Sequence, residues 1–405
     1  MKIMTCLSCV LTAVAMTATA GSLQAKELKI GLIAPFTGPL AEYGTQMQRG
    51  MEIYMAQHGD TVAGRKVKVI VRDTTGIAPA IAKREAQELL IQDKVDILAG
   101  FGMSPNAFSA APLATQFKVP MVVMNAATSS ITEKSPYIVR TSMTMRQSAA
   151  ATAQYAYEHG IKRTYVLVAD FAPGVDWQEQ FTKTYAGLGG EIVGAVRVPV
   201  NTVDYAPYLQ RVLNAKPDAM AAFVQAGHSG LALFKGIRDV GLQQAGIKLI
   251  GAGDLTDESV LQSYGDGAIG YVTTFHYSEA HASPENKAFV AAFRKAYPGS
   301  DADGLAVAGY DGMALISKVL DKTHGDAAGP AFAAAAEGMK WESPRGPVEI
   351  DPQTRDIIQN EYIRKVERVD GRLQNTEFFV YKAVKDPGKT ADNRFVYSGS
   401  GPVSP

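Results

Sequence analysis

The sequence predicts an α/β protein of two doubly wound parallel-sheet lobes joined by several chain crossings. Three observations carry this. Short apolar runs rich in β-branched residues alternate with helical stretches, as crossover-linked parallel strands require. The rhythm begins at Lys29 and begins again after Arg140. With 405 residues, the chain is long enough to bury two cores.

Residues 29–34 (KIGLIA) are an apolar run stopped by Pro35 and by Gly38-Pro39. Such a run between breakers is a buried strand of a parallel sheet. Residues 37–44 then form a loop into a helix near 46–58. Ligands of open α/β sheets collect outside the carboxyl ends of the strands. This first loop therefore lies where a ligand would sit, with Tyr43 able to close over it. Further strands are expected at 66–72, 95–99, 120–124 and 137–140, with helices at 78–92 and 104–117. The second unit has helices at 147–159, 176–188, 205–214 and 229–240, and strands at 163–169, 191–198, 219–224, 248–250 and 269–273.

The remainder changes character. Ser283 caps a helix that Pro284 starts and that runs to 297. Helices at 302–320 and 330–339 follow, then alternating strand-like segments at 341–350, 361–368 and 376–384. The apolar faces of these helices need a sheet to cover, so they return to the first lobe while the last strands join the second. That makes at least three crossings between lobes, which is a hinge. The expected division is 26–142 with 274–340 for the N-terminal lobe and 143–273 with 341–384 for the C-terminal lobe. Residues 385–405, polar with Gly, Ser and Pro, are expected to be loose.

Residues 1–25 have the layout of an export signal. Met1-Lys2 is positive, 7–18 is apolar but too short to span a bilayer, and small residues mark cleavage near Ala20 or Ala25. Both cysteines, Cys6 and Cys9, lie in this segment. The mature chain then has no disulfide, thiol chemistry or cysteine metal site. Forty basic and forty acidic residues give zero formal charge, which argues against a nucleic-acid binder or a basic membrane-surface binder. No other stretch has the ~18 apolar residues of a spanning helix.

Two loops carry GxG turns after a strand and before a helix: Gly100-Phe101-Gly102-Met103-Ser104-Pro105 and Gly251-Ala252-Gly253-Asp254-Leu255-Thr256. Both lack the third glycine of a dinucleotide fingerprint, so no nucleotide cofactor is expected. What they offer is close backbone approach and free N–H groups at a helix start. Ser104 either presents its hydroxyl there or merely caps the helix. After the strand at 120–124, Asn125-Ala126-Ala127-Thr128 supplies two small residues, then a hydroxyl and an N–H. Alone it is an ordinary turn; its place at the end of a neighbouring strand favours binding. In the second lobe the equivalent loops hold Phe171 and Pro173, then Gln225, Ala226 and His228, then Asp254. They give an aromatic ring, an amide or imidazole, and one carboxylate. The plain alternatives are core packing for Phe171 and a helix start for His228. No catalytic constellation emerges: Gly227-His228-Ser229-Gly230 misses the GxSxG spacing, and the six histidines show no metal-ligand spacing. Neither a metal nor another cofactor is expected.

In order, KIGLIAPFTGPLAEYG, RDTTG at 72–76, AGFGMSPNA, VVMNAATSS and VADFAPGVDW behind an export signal resemble the periplasmic binding proteins of branched-chain amino acid ABC transporters. These type I, leucine/isoleucine/valine-binding-protein-like proteins imply two α/β lobes, a three-strand hinge and closure on a small ligand. They also imply a periplasmic monomer that delivers its ligand to an inner-membrane permease. By the resemblance, Tyr43, Ser104, Ala126, Ala127 and Thr128 match first-lobe contacts, the hydroxyls and N–H groups of the last four holding a ligand carboxylate. The second lobe departs from the pattern. Pro173-Gly174 stands for a Tyr before a Gly, Gln225-Ala226-Gly227 for paired Tyr, and Gly253 with Asp254 beside it for the acid that meets an ammonium. A buried unpaired ammonium costs several kcal/mol. A small aromatic or other hydrophobic organic acid is therefore the expected ligand. A branched-chain or other hydrophobic amino acid is the alternative if Asp254 turns inward. Readings of other classes are a ligand sensor for a separate receptor and an exported α/β enzyme.

Overall fold

The computed structural model describes residues 27–403. The export signal, its two candidate cleavage sites and both cysteines fall outside the described residues. The first unit runs β1 (Leu28–Ala34), α1 (Glu42–His58), β2 (Thr61–Val62), β3 (Arg65–Asp73), α2 (Pro79–Glu88), β4 (Ile97–Gly100), α3 (Ser104–Phe117), β5 (Met121–Val123) and β6 (Ile138–Arg140). Its six-stranded sheet has the order β2-β3-β1-β4-β5-β6. All of it is parallel except the short β2–β3 pair. β1 is nearly all buried, which explains its unbroken apolar run. It pairs with β3 on one side and β4 on the other. The chain order reverses at β1, so the loops after β1 and β4 part and leave a crevice.

The second unit runs α4 (Met145–Glu158), β7 (Arg163–Ala169), α5 (Ala172–Gly187), β8 (Glu191–Val198), α6 (Ala206–Ala215), β9 (Ala219–Phe223), α7 (His228–Val240), β10 (Lys248–Ala252), α8 (Glu258–Leu261) and β11 (Val272–Phe275). Its parallel strands lie in the order β11-β10-β9-β7-β8, with the same reversal, here at β7. A capping box of Thr144 and Gln147 starts α4.

The last third holds α9 (Pro284–Ala296), α10 (Gly304–Lys322), α11 (Gly329–Ala336), β12 (Lys340–Ser343), β13 (Gly346–Ile350), β14 (Ile357–Val369), β15 (Arg372–Val384) and β16 (Gly399–Pro402). Ser283 caps α9 by accepting the Asn286 N–H. The sheet of the second lobe is mixed, because β14 joins β11 antiparallel and carries β12-β13 and β15-β16 with it.

Three expectations are corrected here. The segment 341–350 is a hairpin of two strands, turned at Pro344 and Arg345. Nor does it belong wholly to the second lobe. Trp341, Val348, Ile350 and Ile357 bury in the same core as Leu28, Ile30 and Leu32 of β1, whereas Val366 of β14 lies in the core of β7 and β9. The 13-residue β14, about 43 Å long at ~3.3 Å per residue, thus passes from one lobe to the other. Its pairing with β15 slips at Gln359/Glu361 and Ile363/Arg364, where the crossing lies. The tail is not loose throughout its described part: β16 pairs with β15, and Asp386 is buried against Ser129.

The buried Arg345 ties the crossings together. Its guanidinium donates to the Thr141 carbonyl between β6 and α4, and to Gln359 Oε1 of β14 at 2.7 Å. Its Nε lies 2.8 Å from Asp311 Oδ2 of α10. A charge that is both paired and hydrogen-bonded can stay buried.

Candidate functional site

Two consecutive positive φ angles shape the first-lobe wall. Gly100 ends β4 at φ 99°, where a Cβ would lie 2.6 Å from the Ile33 carbonyl oxygen. Phe101 follows at φ 62° although it is bulky and fully buried. Its N–H donates to Ile33 O at 2.6 Å and its carbonyl accepts the Ala126 N–H at 2.8 Å, which holds the unfavourable conformation. The turn aims Gly102 and Met103 across the end of β1 and delivers Ser104 as the first residue of α3. The helix cap is Met103, with no side-chain bond, so Ser104 is not a cap. Its Oγ instead accepts the Thr128 N–H at 3.1 Å.

The loop after β5 is shaped by a residue the sequence reading missed. Arg140, fully buried at the end of β6, donates to the carbonyls of Ala126 at 3.0 Å, Thr128 at 2.8 Å and Ser129 at 2.9 Å. Asp356 pairs with it at 2.6 Å. The one sequence signal was an arginine closing an otherwise apolar strand.

Across the gap, Phe171 immediately precedes α5 and stacks on Phe223, with centroids 5.9 Å apart and planes 14° apart. Pro173 sits in the first turn of α5, which starts earlier than expected. Gln225 follows β9, and Asp254 lies in the short 3-10 turn Gly253–Thr256 after β10. Tyr43 is in the first turn of α1 and not in a loop. It is buried in an apolar cluster with Met103 and Leu305 of its own side and Ala226 of the other. Burial pushes the Tyr43 phenol well above its ordinary range, and Asp254 and Asp257 add to it, while the Ala226 backbone offsets part.

Tyr43, Ser104, Ala127, Phe171, Pro173, Gln225 and Asp254 all line one chamber between the lobes, with Met143, Met145 and Phe223 among the other walls. Its free volume is only about 20 Å³. That admits a water or so, and a larger guest needs the lobes to part. Ala226 and His228 line a second, outer space of about 820 Å³, and Tyr43 is the partition between the two. His228 is exposed at the start of α7. Ala126 and Thr128 stand outside the chamber lining. The Ala126 N–H is spent on Phe101.

Several buried polar atoms in this region lack a partner: Thr128 Oγ1, both amide atoms of Gln225, and Asp254 Oδ2. Burial raises the Asp254 carboxyl to about 7; Asp257 raises it too, and Arg364 and a backbone hydrogen bond work against both. Among the described residues no three His, Cys, Asp or Glu side chains are grouped to hold a metal. A polar contact closes the rim between lobes: the Ser129 N–H donates to Asp176 Oδ2 of α5 at 2.7 Å, and Arg146 holds the other oxygen at 2.8 Å.

Residues 27–372 match a family model described as periplasmic binding protein. A Leu/Ile/Val-binding protein homolog 6 of Brucella melitensis is 42% identical over 384 residues, 94% of this chain and 98% of its own. An ABC transporter solute-binding protein of Rhodopseudomonas palustris BisB5, in complex with 3,4-dihydroxybenzoic acid, is 52% identical with a TM-score of 0.87, covering 90% of this chain and 99% of its own. Another from R. palustris, in complex with 4-hydroxybenzoate, is 43% identical with a TM-score of 0.85, covering 88% and 97%.

Proposed function

The chain belongs to the periplasmic binding protein family, and from that premise we propose that it captures a small aromatic carboxylate between its lobes and hands it to an inner-membrane permease. It is a solute-binding transport protein, acting by binding and not by turnover. One observation carries the choice of ligand. The chamber sets the Ser104 hydroxyl, at the N-terminus of the 14-residue α3, opposite the stacked rings of Phe171 and Phe223. A helix start favours an anion and the rings favour a flat apolar body. With its oxygen occupied by the Thr128 N–H, the Ser104 O–H is left to donate to a carboxylate. Solved relatives that hold hydroxylated benzoic acids support the same reading.

A hydrophobic amino acid is the second reading. Asp254 lines the chamber and would meet an ammonium, and curated relatives carry Leu/Ile/Val-binding names. Isothermal titration of the purified protein separates the two. Aromatic acids should bind while their methyl esters and leucine do not; binding of leucine alone would overturn the first reading. The periplasmic location, the permease partner and a monomeric state belong to the same proposal.

A further inference from the structure

Gln225 is 3% exposed and Asp254 9% exposed, and both line the chamber that Ser104 lines. Neither amide atom of Gln225 has a partner, and Asp254 Oδ2 has none. A buried primary amide with both ends unsatisfied is expensive, so whatever fills the chamber must satisfy it. The amide oxygen only accepts and the NH2 only donates. An ammonium has three donors and no acceptor. It would serve Asp254 Oδ2 and Gln225 Oε1 but leave the Gln225 NH2 orphaned. An unsubstituted ring would leave all three atoms orphaned. A phenolic hydroxyl both accepts and donates: it can take a hydrogen from the Gln225 NH2 and give its own to the amide oxygen or to Asp254, and a second hydroxyl on the ring supplies the donor for the remaining acceptor. Phe171 and Phe223, which line the same chamber, provide the surface on which the ring bearing that hydroxyl would lie.

We propose that Gln225 and Asp254 form a hydroxyl-reading subsite that selects ring-hydroxylated benzoates over benzoate. This rests on the aromatic-acid reading above and adds the residues that set specificity. Ser104 seats the carboxylate end; Gln225 and Asp254 read the far end.

The test is isothermal titration of the purified protein with benzoate, 4-hydroxybenzoate, 3,4-dihydroxybenzoate and leucine. The native chain should bind 4-hydroxybenzoate at least about tenfold more tightly than benzoate, because benzoate leaves buried polar groups unpaired. In Gln225→Leu that ratio should fall to within about threefold of unity. This variant replaces an unpartnered amide by an apolar group of similar size, so it should fold at least as stably as the native chain. Asp254→Asn is the second variant, and it should likewise shrink the ratio. Equal affinity of the native chain for benzoate and 4-hydroxybenzoate would overturn the subsite while leaving the aromatic-acid reading intact. A ratio unchanged in both variants would overturn it as well. Native binding of leucine without any benzoate would overturn the functional reading and the subsite with it.

Discussion

The Thr128 N–H donates to Ser104 Oγ at 3.1 Å, joining the helix after β4 to the loop after β5. That N–H, expected from the family resemblance to face a carboxylate, is spent on aiming a hydroxyl. On the chamber wall the Ser104 O–H is left for an anion, and the buried, unpartnered Thr128 hydroxyl lies behind it, outside the lining. Hydrogen bonds to a charged group are worth about 1.5–3 kcal/mol. Ser104→Ala should therefore weaken binding of an aromatic acid by about 10- to 100-fold, and Ser104→Ala with Thr128→Ala should abolish a measurable thermal shift. Unchanged affinity in the double variant would remove the carboxylate anchor from this wall.

Asp176 bonds across the two lobes in this structure. It accepts the Ser129 N–H from the other lobe while Arg146 of its own lobe holds it in place. A contact made only when the lobes meet adds to apparent affinity by favouring the closed population. Asp176→Ala should raise the dissociation constant by about 3- to 30-fold, mostly through faster release. Stopped-flow release rates and small-angle scattering measure this. An unaltered release rate would show that the contact does not hold the lobes together.

What was legible in the sequence was local. Parallel strands buried on both faces are contiguous apolar runs, so residues 29–34 and 163–169 could be bounded closely. The sequence pattern puts the start of α1 four residues late, because Gly44 has the character of a loop residue. Gly44 is there because a Cβ would lie 2.3 Å from Pro35 O, where the helix passes over the first loop. Arg140 was missed because its partner Asp356 is 216 residues away. Gly and Ser made 399–402 look like loose tail, while its pairing with β15 depends on partners no local pattern reveals. The segment 341–384 alternated like a strand set but gave no sign that β14 alone would span both lobes.

Arg140 shapes the anion wall from behind, and its cost of removal should be structural. Arg140→Met takes from the buried Asp356 its close partner, leaving Lys389 at 3.7 Å and the Thr132 hydroxyl, and frees three carbonyls. Breaking a buried pair by removing one partner costs about 3–5 kcal/mol. Urea unfolding should show a loss of that size, and Arg140→Met with Asp356→Leu should recover part of it. Full stability in the single variant would mean the loop is held by other contacts.

Asp254 makes stability depend on pH in the direction opposite to an ordinary salt-bridged acid. Its folded pKa is raised from 3.8 to about 7, chiefly by burial, with Asp257 adding and Arg364 opposing. Between those values the folded form keeps a proton that the unfolded form has lost, so stability falls as pH rises from about 4 to about 7 and then levels. At ~1.36 kcal/mol per pKa unit the penalty reaches at most about 4 kcal/mol. Glu258, raised to about 7, and Glu361, raised to about 8, push in the same direction. Asp254→Asn removes one of these penalties. Relative to the native chain it should gain stability progressively from pH 5 to pH 8, by as much as about 3 kcal/mol, in urea unfolding followed across that range. A stability difference independent of pH would place the Asp254 carboxyl at an ordinary pKa, and hence in contact with water and outside the chamber wall.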